Sequence, residues 1–172
     1  MTDCDIGGAV TSGESMLTSV NLDNECIRNY VKRMDENLAK LKQLDFFDTH
    51  QIIIDCHKMS ITDIFTKFGE NYFIDYEREV IANLINKKCI ISTGGAAFTR
   101  KKTFDLLKKN TITVYLKVSS QELYSRLKQS DCINRPNIVP ILNDDNPVDK
   151  IEAIIKEREK WYKQANIVQN ND

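Results

Sequence analysis

The first stretch able to do chemistry is Gly8-Ala9-Val10-Thr11-Ser12-Gly13-Glu14-Ser15. Its spacing follows the GxxxxGK[ST] pattern of loops whose backbone N–H groups cradle phosphate. Glutamate stands in the lysine position, and a carboxylate there repels phosphate. Met1–Ile6 precede the segment and supply no apolar strand, so it reads as a flexible arm that contains glycines. A second candidate is Gly94-Gly95, which closes the apolar run Cys89-Ile90-Ile91-Ser92. The basic triplet Arg100-Lys101-Lys102 has no aromatic platform beside it and reads as a solvated helix start. Cys4, Cys26, Cys56, Cys89 and Cys132 show neither a CxxC pair nor a metal-ligand rhythm, and His50 and His57 lie seven apart. Reduced, mostly buried thiols are expected, and metal binding by cysteine and histidine is not.

These residues need a scaffold, and 172 residues suffice for one domain with a real core. With 24 basic residues against 25 acidic, the net charge of −1 gives no general attraction to nucleic acid or to an anionic membrane. No apolar run approaches the ~18 residues of a membrane span, and nothing resembles a signal or transit peptide. A cytoplasmic protein is expected.

Residues 1–18 are small, polar and weakly patterned, and read as a poorly ordered arm ahead of a domain at 19–172. From Ile27, apolar residues recur through Tyr30, Val31, Met34, Leu38 and Leu41 as a helical stripe. Phe46-Phe47 makes a short strand ending at Asp48. Helices are expected at 51–56, 61–68 and 71–86, the last with Phe73, Tyr76, Val80, Ile81 and Leu84 inward. A buried strand at 89–92 leads to helix 99–109, strand 111–117, helix 120–129 and a polar connection 130–146. Pro147 suits the first turn of a helix, where its missing N–H costs nothing, and a last strand follows at 167–168. Strands alternating with helices predict right-handed crossovers and an α/β fold, a three-layer α/β/α parallel sheet.

Several spaced motifs are similar to those of the shikimate kinase family. They are Asp48-Thr49-His50, Ser60-Ile61-Thr62-Asp63-Ile64-Phe65, Gly69-Glu70-Asn71-Tyr72-Phe73 with Glu77, and Ile91-Ser92-Thr93-Gly94-Gly95. Arg126, Arg135-Pro136, and Arg158 through Tyr162 to Ala165 continue the series, over roughly residues 38–168. The resemblance implies a nucleoside-monophosphate-kinase (P-loop type) fold and transfer of the γ-phosphoryl of ATP, with Mg²⁺, to a shikimate hydroxyl. It implies Asp48 in the metal shell and Gly94, Gly95, Arg158 and His50 at the substrate. Arg126 is implied at the nucleotide, and Arg135 as the catalytic lid arginine bridging ATP and acceptor. Trp161 and Tyr162 read as packing residues.

The departures from the family pattern are equally specific. Counted back from Asp48, the family's lysine falls on Val31 and its loop glycines on Glu25, Arg28 and Tyr30. Glu14 lies 34 residues before Asp48, about twice the family's distance. His50 replaces the second aspartate of a DxD pair, removing a carboxylate that would accept the substrate's proton. Ile74 replaces an arginine that grips the substrate carboxylate, and Ala96 replaces a third glycine.

The expected function is a catalytically impaired shikimate-kinase-like protein that keeps part of the substrate pocket and needs no cofactor. Its expected partner is a small anionic metabolite or another protein, with no nucleic acid and no membrane. Two other readings stand beside it: an active kinase using ATP and Mg²⁺ to make shikimate 3-phosphate, and a non-enzymatic metabolite-binding regulator.

Overall fold

Strands of a parallel sheet are buried on both faces, so strands and covering helices specify one another. The computed structural model describes residues 15–20, 36, 37, 39, 40, 42–128, 141 and 143–170. Strands β1 (Ser15–Val20), β2 (Asp45–Asp48), β3 (Cys89–Ser92), β4 (Thr111–Lys117) and β5 (Ile167–Asn170) form one sheet in the order β2-β3-β1-β4-β5. Every neighbouring pair is parallel. Helices α1 (Thr49–His57), α2 (Ile61–Phe68), α3 (Glu70–Leu84), α4 (Lys101–Asn110), α5 (Ser120–Lys128) and α6 (Pro147–Tyr162) make the connections.

The alternation of β4 shows how the layers arise. Successive side chains of a strand point to opposite faces. Tyr115 joins the larger apolar cluster with Ile53, Ile64, Phe73, Ile81, Leu84 and Ile91. Leu116, its neighbour, joins a second cluster with Leu123, Leu127 and Ile151 from α5 and α6. The sheet therefore separates two cores, each closed by helices, which is the three-layer arrangement expected.

Two sequence readings are corrected. Ser15–Val20 is the central strand, paired with β3 on one side and β4 on the other, so residues 15–18 are not part of an arm and the domain includes Ser15. A half-polar hexapeptide carries little strand signal of its own; hydrogen bonding from two flanking strands makes it one. Residues 1–14 lie outside the described residues. Cys56 is disulfide-bonded, against the expectation of reduced thiols, with its partner outside the described residues. A disulfide depends on Cα atoms meeting within about 7 Å, which spacing along the chain does not reveal. Cys89 is free and fully buried, and burial pushes its thiol up to about 11.

Element ends follow local chemistry. The Ser60 hydroxyl caps α2 by accepting from the Asp63 N–H at 3.1 Å, and Pro147 sits in the first turn of α6. Gly69 closes α2 and opens α3 at φ 86°, ψ 162°, a region open essentially to glycine alone. A Cβ built there meets nothing within 4 Å, so substitution costs backbone strain without a clash. Gly69→Ala is expected to lower unfolding stability by about 1–3 kcal/mol, read as a lower urea midpoint at unchanged m-value.

Candidate functional site

In open α/β sheets ligands bind where the strand order reverses, at the carboxyl ends of the strands, which here is beside β1, between β3 and β4. Asp48, the last residue of β2, is in register with Ser92, the last of β3, and Thr18 of β1 is level with the same Ser92. β1 runs two residues further, to Val20, which is in register with Leu116 of β4. Asp48 Oδ1 accepts from the backbone N–H of His50 (3.0 Å) and Gln51 (3.4 Å), capping α1. The carboxylate expected in a metal shell thus also starts a helix. Among the described residues, no group of three or more His, Cys, Asp or Glu could hold a metal ion.

The centre of the site is Glu77, a buried carboxylate on α3. Its Oε1 accepts from Thr49 Oγ1 (2.8 Å) and from the Gly94 N–H (3.2 Å), and His50 Nε2 lies 3.5 Å away. One oxygen therefore joins the start of α1, the middle of α3 and the turn after β3. His50 is turned inward: its side chain is 4% exposed and its ring stands edge-on to Phe73 at 5.0 Å. It supports Glu77 from within and does not line an open face.

The glycine turn is itself compact. The Ala97 N–H donates to the Gly94 carbonyl at 3.1 Å, and Gly94 and Gly95 are buried. Ala96 has φ −70°, ψ −27°, an ordinary helical conformation, so alanine in place of the third glycine brings no backbone strain. From the other side, the Tyr162 hydroxyl donates to the Gly95 carbonyl at 2.8 Å. Arg158 is four residues earlier on α6 and half-buried, on the same helix face as Tyr162.

Of the other expected site residues, Arg126 is described and Arg135 is not. Arg126 Nε donates to Glu122 Oε1 at 2.6 Å along α5, a pairing within one helix. Arg135 lies outside the described residues, as do Glu25, Arg28, Tyr30 and Val31. Gly8–Gly13 are also outside them. Arg100, first of the basic triplet, pairs with Glu70 at 3.3 Å, and Lys101 pairs with Asp105.

Three residues of this network were not marked as functional from sequence: Glu77, Thr49 and Tyr162. Glu77 did leave a signal. It falls on the inner stripe of α3 with Phe73, Val80, Ile81 and Leu84, where an acidic residue is costly unless bonded.

A parallel 2-3-1-4-5 sheet with its site at the carboxyl ends defines a nucleoside-monophosphate-kinase type of fold. The family model for shikimate kinase matches residues 34–172. The shikimate kinase of Thermodesulfovibrio yellowstonii is 35% identical over 129 residues, covering 74% of this chain and 71% of that protein. That of Sulfurihydrogenibium sp. is 34% identical over 136 residues, covering 78% and 77%. The structure of shikimate kinase from Acinetobacter baumannii in complex with shikimate superposes with a TM-score of 0.72 at 26% identity, covering 94% of this chain and 86% of the other. The chain belongs to the shikimate kinase family.

Proposed function

We propose that this protein keeps the acceptor pocket of a shikimate kinase as a weak anion-binding site and does not transfer phosphate at a kinase rate. The observation that carries this reading is the sequence available at the carboxyl end of β1. No glycine lies between Gly13 and Gly69, whereas a phosphate cradle needs glycines and a lysine just after that strand. The glycine-containing segment Gly8–Gly13 comes before Ser15 in the sequence. Asp48 is engaged as a helix cap and Arg126 with Glu122, which adds support. Among the described residues no group of three or more acidic, histidine or cysteine side chains could hold a metal ion, and no catalytic step is derived through ATP or Mg²⁺.

The acceptor side supports binding. The Gly94-Gly95 turn is held by side chains from two helices, and Arg158 lies one helical turn before Tyr162 on the second of them. Ile74 and the inward His50 leave few partners for ring hydroxyls, and discrimination for a hydroxyl needs a group left unpaired in its absence. Shikimate, quinate and benzoate should each bind at millimolar strength, and Arg158→Ala should weaken all three at least about tenfold, the worth of a charge-assisted pair. Titration followed by NMR checks this. Micromolar binding of shikimate with no binding of benzoate would mean that the family's specificity is intact, and would overturn the reading.

A second reading, an active shikimate kinase making shikimate 3-phosphate from ATP and Mg²⁺, is favoured by the relatives of that name at about 35% identity. In that reading residues outside those described supply the phosphate site, Arg135 among them.

A further inference from the structure

We propose that Tyr162 is a positioning residue of the anion pocket, its hydroxyl fixing the Gly94-Gly95 turn to the helix that carries Arg158. This rests on the anion-binding reading above. Packing alone asks only for the ring. Tyr162 is fully buried, stacked on Tyr115 of β4 at 4.9 Å and 20°, and parallel to Phe98 at 6.4 Å and 7°. A ring held on two sides leaves its hydroxyl one direction, and the group there is the Gly95 carbonyl at 2.8 Å. Gly94, one residue earlier, is held by Glu77 through its N–H at 3.2 Å. Two successive residues of the turn are thus tied to different helices, Gly94 to α3 and Gly95 to α6.

The consequence concerns alignment. Arg158 precedes Tyr162 by one helical turn on the same face, so the Tyr162–Gly95 bond sets where the part of α6 that bears Arg158 stands relative to the turn. Without it, α6 keeps its packing while turn and cation lose their common reference. Ligand contacts made by both suffer from displacements of an ångström or less.

The test uses the full chain and Tyr162→Phe, which removes one oxygen and keeps the ring. Shikimate affinity, measured by NMR well below the melting temperature of either protein, is expected to fall about fivefold, the worth of one net hydrogen bond. The Gly95 and Ala96 amide resonances should shift, with amide exchange in the turn about tenfold faster. Trp161→Phe, a packing change one residue away, should leave both readouts as in the wild type. Unchanged affinity with unmoved turn amides in Tyr162→Phe overturns the inference. If the wild type binds neither shikimate nor benzoate, the anion-binding reading fails separately, and the exchange data decide: faster turn exchange in the variant upholds the latch, and equal exchange removes it.

Discussion

Glu77→Ala is expected to lower the unfolding free energy by about 3–5 kcal/mol, the usual cost of removing one member of a buried charged network. The Thr49 hydroxyl and the Gly94 N–H both lose their acceptor inside the protein, and His50 loses the carboxylate at 3.5 Å. Each buried donor left without a partner costs about 1–3 kcal/mol, and together these account for the total. Domains of this size have only about 5–15 kcal/mol in hand, so the variant approaches the threshold of folding. With m-values of about 1–3 kcal/mol/M in urea, the midpoint should fall by 1 M or more. Glu77→Gln, which keeps an acceptor oxygen, should recover over half of the loss. A midpoint for Glu77→Ala within about 0.3 M of the wild type, less than a third of the smallest expected fall, would show that the network does not hold these elements together.

The purified chain is expected to show no ATP-dependent phosphorylation of shikimate above a control without protein. Phosphoryl transfer is catalysed by positioning and charge neutralisation, and both depend on the cradle. Deleting a single stabilising donor in comparable sites costs about 10²–10³ in rate; here Val31 stands at the position matched to the lysine, and Glu25, Arg28 and Tyr30 at those matched to the loop glycines. A coupled assay decides. Turnover on the order of 1 per second or faster, ordinary for kinases, would establish the active reading and show that another part of the chain has taken over the phosphate site. The assay and the anion titrations are independent, so a pocket that binds without turnover is distinguishable from one that does neither.

The sequence by itself determined the family and most of the fold. Motifs such as Asp48-Thr49-His50 and Ser92-Thr93-Gly94-Gly95 are local, and spacing places them at strand ends whatever the rest of the chain does. The apolar run at 89–92 and the stripe at 73, 80, 81 and 84 are legible because burial follows the period of each element. What only the tertiary structure decided has one physical cause: it depends on partners far away in the chain. Ser15–Val20 is a strand because β3 and β4, about 70 or more residues later, bond to both of its edges. Glu77 is tolerated in the core because donors from residues 49 and 94 reach the same oxygen. Tyr162 reads as packing in the sequence because its ring does pack; its bond to Gly95, 67 residues away, exists only once α6 lies against the turn. Those three sets of contacts join β1 to its neighbours, α3 to the turn after β3, and that turn to α6.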